Sequence, residues 1–184
     1  MFSKRKIIVW ISTSADGFIC RSDGGIDWLE RPRPKGNYGF GAFYKTIDTT
    51  VWGRKTYEMA LDYQKRGVSG TSFDTSVKNY FFSHTAPKSR PPAGMEFVRE
   101  SIKTFATRLR AEMGKDIWIM GGAGIIASFL DAGEIDEFII NVVPIFIGEG
   151  IPLFTPARRN VPLKLLRVAK FPDGLVRQHY AVLK

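Results

Sequence analysis

Residues 53–56, Gly53-Arg54-Lys55-Thr56, set a glycine, two cations and a hydroxyl in succession. Arginine and lysine bring charge and donors that suit a phosphate, and a glycine lets the backbone approach an anion closely. A second glycine-dense stretch, Gly121-Gly122-Ala123-Gly124-Ile125, lies further on. Each follows an apolar, strand-like run, "TTVW" and "DIWIM", and each leads into a helical one, "KTYEMALDY" and "GAGIIASFLDA". Both therefore read as strand-to-helix turns. There the unpaired backbone N–H groups and the positive dipole end of a helix can receive an anion. Ligands of open α/β sheets bind beyond the carboxyl ends of the strands. Two such turns in one chain predict a site for a phosphorylated ligand.

Other residue types could contribute chemistry. Asp16, in "STSADGFI" after the first strand, offers a carboxylate to orient a substrate or relay a proton; the bland alternative is an Asp-Gly turn. Trp28 caps a pocket or is an ordinary buried tryptophan. His84, after the third strand, can meet an adenine or a phosphate, whereas His179 in the last strand reads as structural. There is no Ser-His-Asp order and no metal-ligand spacing. Gly122, Gly124 and Ala127 satisfy G-x-G-x-x-A. A first-strand Rossmann unit is nevertheless excluded: the motif follows four expected strands, leaves only about 60 residues after it, and leaves 53–56 unexplained.

The elements that must position these residues follow from periodicity. Strands are expected over 6–14, 49–52, 78–83 and 116–120, with a short one at "EFVR" and a long apolar one over 136–147. Residues 18–37 and 64–76 read as loops. Helices are expected over 38–47, where Phe40, Phe43, Tyr44 and Ile47 share a face, over 55–63, over 101–113 with Ser101 as N-cap, and after 121 until Gly133 stops it. "PDG" at 172–174 marks a terminal hairpin. Alternating strands and helices predict a largely parallel sheet covered on both faces, with antiparallel strands added at the end.

The chain has 184 residues, 44% hydrophobic and 24% charged, which fits one domain, 1–184, with a single sizeable core. No apolar run reaches the roughly 20 residues that span a membrane. "MFSKRK" followed by "IIVWISTSADGFI" reads as a first strand rather than a leader, and Cys20 is the only cysteine. A cytoplasmic protein without membrane partners is expected. The net charge is +9, but the basic residues are scattered and no nucleic-acid motif accompanies them. Steering of an anionic small molecule explains that charge better than nucleic acid does.

In order along the chain, "SADGFI", "WGRKTYE", "NYFFSHT", "IWIMGGAGII" and "DEFIINVVPIFIGEGIPLF" resemble the dihydrofolate reductase fold. More closely they resemble the RibD C-terminal reductase domain of the bifunctional riboflavin-biosynthesis deaminase/reductase and its stand-alone relatives. The resemblance covers nearly the whole chain. It implies a dihydrofolate-reductase-like three-layer α/β/α fold and NADPH as cofactor. Gly53, Arg54, Lys55 and Thr56 would meet the cofactor's phosphates, including the 2′-phosphate. Ser83 and His84 would line its adenosine side, and Gly121, Gly122, Ala123, Gly124 and Ile125 its pyrophosphate. Ser12 and Ile19 would hold the nicotinamide carboxamide, and Asp16 matches the residue near the substrate. Dihydrofolate reductases carry an acid at the start of the helix before the second strand and an arginine before the third. Here "YGFGAFYKTI" has no carboxylate and Val77 stands at the arginine position, so dihydrofolate reduction itself is not expected.

The reading is an NADPH-dependent reductase of a small heterocycle, an aminopyrimidine ribosyl phosphate or a pterin-like ring. The substrate would lie between 16–30, 38–47 and 144–154, with Trp28, Phe40, Tyr44 and Tyr57 as walls. The alternative is an NADPH-binding module without turnover. The apolar "FIINVVPIFI" strand, the terminal hairpin and the resemblance predict a homodimer.

Overall fold

The computed structural model describes residues 4–32, 34–66, 73–87, 90–155 and 160–184. Residues 67–72, within the loop expected over 64–76, and 88–89, within the turn-rich stretch 86–94, lie outside them. An eight-stranded sheet runs β5-β4-β3-β6-β1-β7-β10-β9. Its members are β1 (Ile7–Ser14), β3 (Ile47–Gly53), β4 (Lys78–Phe82), β5 (Met95–Val98), β6 (Asp116–Gly121), β7 (Glu137–Val143), β9 (Leu163–Lys170) and β10 (Val176–Val182). The strands from β5 to β7 pair in parallel; β10 joins β7, and β9 joins β10, antiparallel. A separate antiparallel pair, β2 (Phe18–Cys20) with β8 (Ile151–Pro152), sits beyond the end of β1.

The interior strands are apolar on both faces, as a doubly covered sheet requires. One face carries Ile7, Val9, Val51, Ile117 and Ile119 under α3 (Ile102–Ala111) and α4 (Ala123–Asp131), which bring Phe105, Leu109, Ile126 and Phe129. All nine side chains are fully withdrawn from water, each worth roughly 1.5–3 kcal/mol of transfer free energy. The other face is shared by α1 (Phe40–Tyr44) and α2 (Arg54–Lys65). Phe43 packs there with Ile8, Trp118 and Ile139, and Tyr57 with Phe81 and Met95. Ser101 caps α3, its Oγ accepting from Thr104 N at 3.1 Å. Gly133, at φ +71°, ends α4, with Gly133 N and Glu134 N donating back to Leu130 O and Phe129 O.

Two expected elements are shorter than their patterns suggest. The helix expected over 38–47 is α-helical only as Phe40–Tyr44. Before it Gly36, Asn37, Tyr38 and Gly39 take φ of 83°, 44°, 57° and 77°, four successive left-handed residues that cannot belong to a right-handed helix. The strand expected over 136–147 stops at Val143, because Pro144 has no N–H for a ladder. Residues 145–148 turn away to meet the β1–β2 connection, where Ala15 N donates to Ile145 O at 2.8 Å. No helix among the described residues is long and apolar enough to cross a membrane.

Candidate functional site

The parallel register puts the two basic or glycine-rich turns side by side. β3 and β6 are neighbours, with Trp52 opposite Gly121, so α2 and α4 start at the same sheet edge. Both are preceded by a glycine N-cap, Gly53 and Gly122, and neither has a side-chain cap, in contrast to α3. Their first N–H groups thus have no side-chain acceptor. The glycines are needed for space as well. A Cβ on Gly53 would stand 3.2 Å from Ile125 Cγ2 and 3.3 Å from Gly121 O. One on Gly122 would stand 3.4 Å from Thr56 Oγ1 and 3.8 Å from Ile19 Cδ1. Ile19, Gly53, Thr56, Gly121, Gly122 and Ile125, singled out along the sequence, therefore form one cradle. Ala123, the first residue of α4, is buried there, whereas Gly124 has open space around it. Arg54 and Lys55 are exposed on the first turn of α2. Arg54 Nη1 donates to Thr85 Oγ1 at 3.1 Å, and Thr85 N donates to Ser83 Oγ at 3.2 Å, which joins the end of β4 to the same edge. His84 is exposed beside them. The orphan amides, the glycine cradle and the exposed cations fit a nucleotide with phosphates.

Beside this cradle, on the α1 face, a cleft of about 190 Å³ opens between β1, β7 and β10. The register builds its floor: Ser12 stands opposite Asn141, and Asn141 opposite Arg177. Arg177 Nε donates to Asn141 Oδ1 at 2.8 Å, and Nη1 to the Tyr38 carbonyl at 2.7 Å. That carbonyl belongs to the left-handed stretch before α1. The guanidinium also lies 4.1 Å from the centroid of Trp10 and 5.2 Å from that of Phe171, a cation–π arrangement worth about 0.5–2 kcal/mol. Burial, and then Arg167, pushes Arg177 down to about 10, so it stays charged at neutral pH. Phe40, Leu29, Val143 and Leu175 give the apolar walls. Arg31, on the rim, donates to Asp173 O at 2.6 Å and pairs with the Asp173 carboxylate at 3.4 Å. Among the described residues that line the cleft there is no carboxylic acid and no imidazole.

Ser12, expected at the cofactor, and Phe40, expected as a substrate wall, both line the cleft. Four other residues expected at the substrate lie away from the cleft. Trp28 is buried behind the wall, packed on Val143 and Leu175. Tyr57 is not a wall: it stacks on Phe81 at 4.1 Å beneath α2, under β3 and β4. Tyr44 packs edge-on to Trp118 and donates to Asp74 Oδ2 at 2.8 Å; burial, with Asp74, pushes its hydroxyl up to about 12. Asp16 does not line the cleft either. It is exposed and accepts from Gly148 N at 2.8 Å and Ile147 N at 3.2 Å. The Ser14 hydroxyl, then these amides, hold its carboxyl below the usual range. It is an anionic latch between two loops and a poor proton donor. His179 pairs with Glu137 at 2.8 Å, two residues from Arg177 toward the opposite sheet edge. Cys20 is a half-buried thiol that burial pushes up. No group of His, Cys, Asp and Glu among the described residues could hold a metal.

Trp10, Asn141 and Arg177 escaped the sequence reading. The one signal was Asn141, a polar residue inside the apolar strand "EFIINVV".

The fold and this edge can be set beside known proteins. The family model of the RibD C-terminal domain matches residues 5–177. The chain belongs to that family. RibD C-terminal domains are reductases of riboflavin biosynthesis. This RibD C-terminal domain protein is 36% identical over 177 residues to the uncharacterized protein YwjB of Bacillus subtilis (strain 168), covering 96% of this chain and 98% of that one. A candidate riboflavin biosynthesis protein from Shewanella sp. PV-4 superposes with a TM-score of 0.83 at 28% identity, over 97% of this chain and 99% of that one. The dihydrofolate reductase of Enterococcus faecalis, solved with NADP(H), superposes with a TM-score of 0.67 at 14% identity over the whole of both chains, which establishes a shared fold.

Proposed function

We propose that this RibD C-terminal domain protein is an NADPH-dependent reductase of a small heterocycle. The carrying observation is the adjacency, at one sheet edge, of two helix starts without side-chain caps and a cleft floored by Ser12, Asn141 and Arg177. NADPH would supply the hydride. The amides of residues 54–56 and 123–125 would take its phosphates, with Arg54 and Lys55 on the 2′-phosphate. Ser83 and His84 would flank the adenosine, and Ser12 and Ile19 the carboxamide. Ser12 also lines the cleft, so the same strand end would set the distance between donor and acceptor; alignment is the protein's main contribution in such chemistry. The substrate, an aminopyrimidine or pterin-like ring, would rest on Phe40. Asp16 would act as a positioning residue, holding 145–148 against the end of β1.

A binding module without turnover is the second reading, favoured by the lack of an acid or imidazole among the described residues that line the cleft. A reductase there would draw its proton from solvent. Nicotinamide fluorescence on titration with NADPH and NADH, followed by NADPH oxidation across aminopyrimidine and pterin substrates, separates the two. Binding with preference for NADPH and oxidation with any of them supports the reductase. Binding without oxidation supports the module, and no binding of either nucleotide overturns both.

The homodimer is also a proposal. Leu163, Leu165, Leu166 and Val168 are exposed on the edge strand β9, and an uncovered apolar edge invites pairing with another chain.

A further inference from the structure

Arg177 is a half-buried cation without a counter-ion among the described residues. Its Nη2 is buried and has no hydrogen-bond partner, and no carboxylate among the described residues pairs with it. Arg110, also buried, contrasts with it: two carboxylates, Glu134 and Asp136, sit on that guanidinium. Arg31, the other cation at the cleft, is neutralised by Asp173. The cleft therefore carries one uncompensated positive charge, and a charge withdrawn from water without a partner is costly. Asn141 is the notable neighbour. An aspartate at that position would neutralise the guanidinium, yet the residue is the neutral isostere, which leaves the positive charge for something else.

We propose that the Arg177 guanidinium, which lines the cleft, anchors a monoanionic planar heterocycle, one bearing a ring carboxylate or an ionised ring oxygen, with that oxygen against the guanidinium and the ring against Phe40 and Val143. The inference rests on reading the cleft as the substrate site. A phosphate fits less well. It brings up to two charges and three acceptor oxygens, against one free charge and one orphan nitrogen, and the cleft is small beside the 300–1,000 Å³ of common ligand pockets.

Orotate, a pyrimidine carboxylate, and uracil, its analogue without the carboxylate, are the probes. Each is titrated into the full chain at near-physiological salt while intrinsic tryptophan fluorescence is followed, since Trp10 lies under the guanidinium. Orotate is expected to bind at least tenfold more tightly than uracil. Arg177→Gln should abolish that preference. Asn141→Asp, which keeps the side chain's shape and supplies an internal counter-ion, should abolish it as well, so the test survives even if Arg177→Gln fails to fold. Equal affinity for the two probes, no binding of either, or a preference that persists in Asn141→Asp overturns the assignment. A parallel NADPH titration keeps the two readings apart. An Arg177-dependent orotate preference without NADPH binding leaves the anchor standing and sinks the reductase. NADPH binding and turnover without the preference does the reverse.

Discussion

Arg54→Ala tests the cofactor half of the site most directly. In the free protein Arg54 forms an exposed i,i+4 pair with Glu58 at 2.9 Å, each side chain 54% accessible, and a hydrogen bond to Thr85. Such pairs contribute about 0.3–0.5 kcal/mol, so the variant should fold and melt almost as the parent does. If Arg54 engages the 2′-phosphate, it exchanges Thr85 and part of its hold on Glu58 for an ionic hydrogen bond worth about 1.5–3 kcal/mol. Allowing about 0.5 kcal/mol for the lost pair leaves roughly 1–2.5 kcal/mol, or about a 5- to 70-fold rise in the Kd for NADPH. NADH lacks the 2′-phosphate, so its Kd should move less than twofold. Both are read by titration of nicotinamide fluorescence, with circular dichroism as the control for folding. An equal loss for the two nucleotides would refute the 2′-phosphate assignment. No loss for either would remove Arg54 from the site.

Other outcomes follow from the same geometry. Gly53→Val should lose NADPH and NADH alike, because its Cβ alone meets Ile125 and Gly121 O at 3.2–3.3 Å; unchanged titrations would contradict the cradle. Gly150→Ala sets a Cβ 2.3 Å from Cys20 O, a backbone clash that should cost about 2–3 kcal/mol, or roughly 4–12 °C in Tm, against little change if the β2–β8 pair is loosely held. Asp136 and Glu137 are held below their ordinary values despite burial, the first by Ile7 N, Lys184 and Arg110, the second by Lys6 and His179. Their stabilisation is therefore complete above the unfolded carboxylate range, about pH 4, and is lost as pH falls through the lower folded values. Urea midpoints measured down to pH 2 should drop in that window and drop less in Glu137→Gln. Leu165→Lys with Val168→Lys should reduce the light-scattering mass toward 20.7 kDa; a parent already at that mass removes the dimer.

What was legible in the sequence is what local physics decides. The strand-to-helix turns at 53 and 121, the Ser101 cap, the Gly133 stop and the hairpin at Asp173-Gly174 each depend on a few neighbouring residues. The β2–β8 pair was not legible, because strands of three and two residues show no periodicity and their pairing spans more than 130 positions. The helix over 38–47 was overdrawn because apolar spacing outweighed the glycines at 36 and 39, which permit a left-handed run. The cleft floor was missed for the same reason as β2–β8. Ser12, Asn141 and Arg177 are more than 160 residues apart from first to last in sequence, and only strand register makes them neighbours.

That register gives the two halves of the site different histories as the chain takes shape. Apart from Ile19 on β2, which pairs with β8, the cradle draws on β3, β6, α2 and α4, all complete by residue 131. The cleft waits for β7 and for β10, whose Arg177 arrives almost at the end of the chain and must slot antiparallel beside a strand that itself pairs with β1 across about 130 positions. Distant pairings of this kind form slowly. During refolding, nucleotide binding is therefore expected to return before discrimination between anionic and neutral rings. On the proposed reading, a chain caught in that interval would bind nucleotide without telling anionic rings from neutral ones.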